Sequence, residues 1–224
     1  IFSNEIKIIK ILSKYFSIVK IFTENKELLK KISNKTKKAV LLNKKKKLKK
    51  IKIEANTDLA ISYGFGIIFT AEFIKKYPHG IWNIHPGDLP KYRGRHPITW
   101  AFLNDEKKVA LSIHLINEKI DQGLLLGKYF VSRNYNDDEK TIKNKIFKII
   151  PKTIRLAKKN YIKKSFKKLK IGKYYSPLFN GIKIKNSKSY DHKYIFNAIK
   201  AQKYYNGVKI GNKVFKDVIF FSKK

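Results

Sequence analysis

Apolar residues along this chain fall in short clusters whose spacing switches between the two periods of regular structure. Ile6, Ile9, Leu12 and Phe16 recur at three- and four-residue steps, which predicts a helix with Asn4 as its N-cap. β-branched and aromatic runs at residues 1–2, 18–22, 39–42, 59–63 and 81–85 predict strands, with helices over 27–32 and around Phe73, Ile74 and Tyr77. The breaks between them carry turn chemistry: Gly64-Phe65-Gly66, Pro78-His79-Gly80 and Pro86. This is the β-α-β rhythm of a parallel sheet covered by helices. Further on, Pro97 opens a helix reaching Leu103, residues 109–116 and 124–131 alternate as two partner strands, and 137–150 is amphipathic. Pro151 is expected to break or kink that last helix.

Beyond about residue 171 the pattern changes. Residues 173–176 are extended and aromatic, 193–201 predict a short helix, and 208–210 with 213–221 read as a hairpin around Gly211-Asn212. The expected fold is α/β: a Rossmann-like, open, mostly parallel twisted sheet flanked by helices over 1–170, followed by a small C-terminal α+β appendage over 171–224. No internal repeat is visible. The opening Ile1-Phe2-Ser3-Asn4 reads as the end of a strand, from which a few residues are missing.

Composition sharpens this picture only in places. With 224 residues and 43% hydrophobic content the chain can build a packed core. No apolar run approaches the roughly 20 residues of a membrane span, and no signal-peptide pattern is present. Cysteine is absent, which excludes disulfides, thiolate catalysis and cysteine-based zinc sites. The formal net charge of +36 invites a nucleic-acid reading. However, arginine occurs only at positions 93, 95, 133 and 155, and phosphate recognition favours its bidentate fork. The lysines are spread over most segments, so drift toward lysine is the preferred account. The dense run at 44–50 reads as a solvated loop or helix face. The charge still predicts attraction to anionic substrates and salt-sensitive RNA binding.

The candidate chemistry lies at element ends. Asn83 and His85 sit two apart on one strand and so share a face. That strand's C-terminal end opens toward the usual ligand crevice of open α/β folds. From these residues alone two readings stand: a polar site, or side chains that hold a neighbouring loop. Asp121 precedes Gln122-Gly123, a pattern that by itself is more often a turn than a catalytic group. His114 lies among apolar residues and reads as a satisfied structural histidine, His79 and His192 as loop or surface residues, and His96 as a residue able to line a substrate mouth. No spacing suits a metal site.

Asn83-Ile84-His85-Pro86, with Leu89-Pro90-Lys91-Tyr92-Arg93-Gly94, resembles the Asn-x-His and Leu-Pro-x-Tyr/Trp-Arg-Gly loop of the folate-dependent formyltransferases. Asn104-Asp105-Glu106-Lys107 before Leu111-Ser112-Ile113-His114 resembles that family's asparagine-containing turn and strand, and Ile120-Asp121-Gln122-Gly123 its Asp-x-Gly loop. The family includes enzymes acting on methionyl-tRNA, glycinamide ribonucleotide and amino sugars. The resemblance is clear over residues 58–150 and faint at the C-terminus. It implies a catalytic trio of Asn83, His85 and Asp121. It also implies a 10-formyltetrahydrofolate cleft lined by Ile67, Ile68, Phe69, Gly87, Asp88, Leu89, Pro90, Arg95, Asn117, Glu118 and Ile120, much of it read through main-chain groups, and no metal. Two departures stand out: Gly87-Asp88 where the family shows Ser-Leu, and the lysine-rich stretch 43–53.

Arg93-Gly94-Arg95-His96-Pro97 looks like the loop of nucleotide-sugar N-formyltransferases, and the roughly 50 residues after 170 resemble a short appendage more than a tRNA-reading barrel. The expected acceptor is therefore the amine of a nucleotide-linked amino sugar, with methionyl-tRNA as the alternative. A non-catalytic basic RNA-binding protein on the same fold is the reading from another class. A cytoplasmic enzyme without membrane association is expected. The aromatic tail (Tyr174, Tyr175, Phe179, Tyr204, Tyr205, Phe215, Phe220 and Phe221) either folds back on the main domain or covers a homodimer surface.

Overall fold

In a computed structural model, residues 1–33, 39–42, 48, 51–178 and 180–219 are described. Of the lysine-rich run at 44–50 only Leu48, which is buried, falls among them. Most of the departure at 43–53, and Phe179, Phe220 and Phe221 of the aromatic tail, lie outside the described residues.

The chain alternates as expected: β1 (Phe2–Ser3), α1 (Ile6–Leu12), β2 (Ile21–Thr23), α2 (Lys26–Ser33), β3 (Ala39–Leu41), β4 (Ala60–Tyr63), α3 (Ala71–Ile74), β5 (Ile81–His85) and β6 (Arg93–Gly94). There follow α4 (Pro97–Leu103), β7 (Lys108–Leu115), β8 (Leu125–Ser132) and the long α5 (Glu139–Ile162). The C-terminal part holds β9 (Tyr174–Tyr175), β10 (Ile182–Ile184), α6 (His192–Gln202), β11 (Val208–Ile210) and β12 (Lys213–Phe215). Seven strands form one mostly parallel sheet in the order β3-β2-β1-β4-β5-β7-β8. The chain winds outward from β1 through β2 to β3, then returns to place β4 on the other side of β1. Such a reversal opens a crevice at the carboxyl ends of the strands. Among the described residues no helix is long and apolar enough to cross a membrane.

Contacts divide the chain into two compact units. The first comprises Ile1–His85, Ile113–Gly127 and Ile154–Lys168. Its core is aromatic: the fully buried Phe2 ring stacks on Phe22 at 4.7 Å and meets Phe69 and Phe73 edge-on. Asn4, expected to cap α1, does something else. Its Oδ1 accepts from Thr23 Oγ1 and the Glu24 N–H, and its Nδ2 donates to Glu24 and to the Gly64 carbonyl. One amide thus ties together the ends of β1, β2 and β4 at the reversal point. The capping position falls to Glu5, whose side chain makes no capping bond.

The second unit comprises Pro86–Ser112, Lys128–Thr153 and Leu169–Lys224. Within it β10 and β11 pair in parallel and β11 with β12 antiparallel, around the turn Gly211-Asn212. The expected hairpin is present, and β10 adds a strand that its three residues did not announce. A second small sheet pairs β6 with β9. Here a Cβ on Gly94 would lie 2.4 Å from the Tyr175 carbonyl oxygen, so only glycine allows the two strands to meet.

Pro151 does not end α5, which runs on for eleven residues. Ile142, Ile146, Phe147, Ile150, Ile154 and Ala157 are all buried at helical spacing on either side of it. Continuous burial of that stripe outweighs the loss of one backbone hydrogen bond.

Candidate active site

Asn83 and His85 alternate along β5 with Trp82 and Ile84, so the two polar side chains share one face at the strand's carboxyl end. Pro86 follows and ends the ladder. Asp121 arrives on the loop after β7. Its carboxylate lies 3.3 Å from Asn83 Nδ2, 3.3 Å from His114 Nε2 and 3.7 Å from His85 Nδ1. The side chains of His85, His114 and Asp121 are 6%, 1% and 10% exposed. These groups are therefore largely screened from water, in surroundings where charges interact more strongly than in bulk solvent.

Backbone geometry fixes this arrangement. Asp121 has φ of 52°, the left-handed region that Asp tolerates better than most residues. Two residues on, a Cβ at Gly123 would lie 1.5 Å from the Leu115 carbonyl oxygen. Only a residue without a side chain lets the loop close onto the end of β7, where the Leu115 N–H donates to the Leu124 carbonyl. The Asp-Gln-Gly turn is what carries the carboxylate to the imidazoles.

His114 belongs to the constellation, although sequence reasoning assigned it to structure alone. Its Nδ1 sits 2.9 Å from the Leu115 carbonyl oxygen. That contact requires an N–H at Nδ1, and the other ring nitrogen, Nε2, lies 3.2 Å from Asn83 Nδ2 and 3.3 Å from Asp121 Oδ1. His114 is satisfied, as expected, and it also orients the Asn83 amide. The available signal was the two-residue step from Ser112 to His114, which puts both polar side chains on one face of β7.

The remaining candidates divide by burial. In the first unit Ile67 and Phe69, expected to line a cleft, turn their side chains into the aromatic core at 8% and 6% exposure, which leaves only their backbone for a ligand. Ile68 between them is half exposed, Ile120 is 40% exposed, and Asn117 and Glu118 are exposed. In the second unit Leu89 is fully buried, Gly87 is buried, Asp88 and Pro90 are partly covered, and Arg95 is exposed. Loop 87–90 is tethered: Ser112 Oγ donates to the Gly87 carbonyl at 2.7 Å and accepts from the Leu89 N–H at 3.3 Å.

The Arg93–Pro97 stretch holds the C-terminal segment within the second unit. Arg93 Nη1 donates to the Gly172 carbonyl, and His96 Nδ1 accepts from the Leu178 N–H. Burial, and then the Arg95 charge, depress the His96 pKa below its ordinary value, which keeps that nitrogen an acceptor. Its ring thus anchors the tail, where a substrate-facing role was expected. Among the described residues no group of three or more His, Asp or Glu is placed to hold a metal ion.

Residues 12–156, more than half of the chain, match the family model described as formyl transferase. The chain belongs to the formyl transferase family. A methionyl-tRNA formyltransferase of Thermodesulfovibrio yellowstonii is 36% identical over 99 residues, which cover 44% of this chain and 32% of that protein. The chain thus matches under a third of that curated relative's length. A solved 4-N formyltransferase from Francisella tularensis superposes with a TM-score of 0.76 at 20% identity, covering 99% of this chain and 97% of that one. An N-formyltransferase from Helicobacter canadensis, solved with folinic acid and dTDP-3-aminofucose, superposes with a TM-score of 0.70 at 20% identity, covering 96% and 84%. At such identities the likeness is one of fold.

Proposed function

We propose that this chain carries a catalytic domain that moves the formyl group of 10-formyltetrahydrofolate to a primary amine, and that the amine belongs to a nucleotide-linked amino sugar. The observation that carries the reading is the convergence of Asn83, His85 and Asp121 at one strand end. The chemistry is acyl transfer. The amine nitrogen attacks the formyl carbon, negative charge grows on the formyl oxygen, the bond to the folate nitrogen breaks, and that nitrogen takes up a proton. An N–H of Asn83 or of a protonated His85, aimed at the oxygen, stabilises the transition state more than the ground state. Asp121 favours the imidazolium form of His85 by its charge and accepts the amine's proton directly or through water. The open side chains of Ile68 and Ile120 suit a flat, largely apolar pteridine, and the folate supplies the formyl group when bound.

The sugar reading is supported by the match over nearly the whole chain, tail included, to solved N-formyltransferases, one of which holds a nucleotide-linked amino sugar. Methionyl-tRNA is the second reading, favoured by the 36% identical relative and by the net charge of +36. Tetrahydrofolate release, followed with a panel of nucleotide-linked amino sugars against methionyl-tRNA, decides between them. Turnover is expected with a sugar. Turnover with tRNA alone would overturn the acceptor, and release with neither would overturn the whole reading.

A further inference from the structure

The Gly87-Asp88 departure from the family's Ser-Leu has a structural counterpart. Lys128, on β8, places its ammonium 2.5 Å from Asp88 Oδ1 and also donates to the Leu89 carbonyl. With Ser112 on Gly87 and the Tyr92 N–H on the Asp88 carbonyl, three successive carbonyls of the loop are taken. A cavity of about 400 Å³ lies against Gly87, Asp88, Tyr92 and Phe130. Packing holds the buried Leu89 side chain, and the polar tethers hold the loop's carbonyls. The two charged side chains are 21% and 29% exposed. The pair is thus more sheltered from solvent than an ordinary surface contact.

We infer that Lys128 is a positioning residue for loop 87–90 and that Asp88 is its counter-charge, so that an ion pair holds backbone used to bind the folate. The inference rests on the folate reading above. The two partners are unequal. Removing the Asp88 charge leaves Lys128 bonded to the Leu89 carbonyl, whereas removing Lys128 frees that carbonyl and strands the Asp88 carboxylate.

The test pairs a measurement without folate with one that uses it. Amide hydrogen exchange at Leu89 and Tyr92 is expected to quicken about tenfold in Lys128→Met and about threefold in Asp88→Asn, and to stay near wild type in Lys128→Arg. In turnover, Lys128→Met should raise KM for 10-formyltetrahydrofolate about tenfold with kcat nearly unchanged, the pattern of lost binding rather than lost chemistry. Should Lys128→Met fail to fold, the double variant Asp88→Asn/Lys128→Gln, which strands no charge, is expected to show the same rise. Unchanged exchange in the Lys128 variants, or an Asp88→Asn effect as large as theirs, would overturn the tether. Loosened amides with an unchanged KM would overturn the inference and leave the folate reading standing. A wild-type chain that releases no tetrahydrofolate would sink that reading and the loop's role with it.

Discussion

Two aspartates in this molecule sit in the same backbone conformation and do opposite things. Asp121 and Asp105 both adopt a left-handed φ, 52° and 48°, and each gathers side chains from distant parts of the chain. Asp121 meets an amide and two imidazoles at 3.3 to 3.7 Å spacings. Asp105 meets Arg133 at 2.5 Å, Lys193 at 2.6 Å, Lys107 at 3.1 Å and Asn197 at 3.1 Å. Burial pushes the Asp105 carboxyl up, but hydrogen bonds from Lys193, Asn197, Lys107 and Arg133 outweigh it and hold the group well below the usual carboxylate range. Partners that stay charged make a clamp. Imidazole and amide partners, which can both donate and accept, make a place where chemistry is possible.

The sharpest way to break this comparison is to neutralise each aspartate. Asp121→Asn is expected to lower turnover by about 10²–10³ while shifting the melting temperature little. Asp105→Asn is expected to leave turnover per folded molecule unchanged and to lower stability. Tetrahydrofolate release and thermal melting, measured on both, check the pair. A crossed result, with Asp121 governing stability and Asp105 governing rate, would refute the distinction.

Gly123→Ala asks whether the Asp121 cluster depends on its turn. A methyl group at 1.5 Å from the Leu115 oxygen cannot be accommodated without moving backbone. The carboxylate, two residues away, moves with it. A rate loss of about 10²-fold is expected, with kcat falling more than KM rises. Wild-type kcat in this variant would show that the spacing of Asp121 from the imidazoles is not what sets the rate.

The Asp105 clamp is expected to be worth roughly 2–3 kcal/mol, because Asn leaves the deeply buried Arg133 guanidinium without its counter-charge. Since the native carboxyl titrates lower than an unfolded one, its stabilisation is complete above about pH 4 and drains away as the pH falls below that. Urea unfolding should therefore show wild type and Asp105→Asn differing most near neutral pH and converging in acid. A difference that persists unchanged to pH 2 would mean that shape, not charge, is responsible.

Much of this was legible in the sequence, for reasons that also mark where it stopped. The strands of the large sheet carry β-branched and aromatic runs, and the Asn-x-His and Asp-x-Gly motifs place their side chains by local geometry alone. The Asp105 hub could not be read, because its partners at 133, 193 and 197 are brought in by tertiary packing and look like ordinary polar residues. β6 and β9 are two residues long and have no period to detect. Pro151 carried a strong local signal for a break, and the apolar stripe from Ile142 to Ala157 overrode it. Of the four arginines, Arg93, Arg133 and Arg155 each hold a carbonyl, carboxylate or hydroxyl of this chain.

A third carboxylate sharpens the comparison most finely. Glu139 opens α5 and accepts from Thr99 Oγ1 at 2.8 Å and from the Tyr205 hydroxyl at 2.7 Å. Burial pushes its pKa above the ordinary glutamate range, and the two hydroxyls recover only part of that cost. The sign is opposite to that of Asp105. A group whose native pKa is raised costs nothing below its unfolded pKa, about 4.3; the cost grows as the pH rises from there to the native value and then levels off. Glu139→Gln keeps the shape and lets one hydroxyl turn to accept from the new amide. It should raise stability by on the order of 1 kcal/mol at neutral pH and by nothing at pH 4. Urea unfolding at the two pH values reads this directly. A loss of stability at neutral pH would show that neutral hydroxyl donors hold an ionised carboxylate as firmly as lysine and arginine do, and the contrast between clamp and site would then lie in burial, not in the charge of the partners.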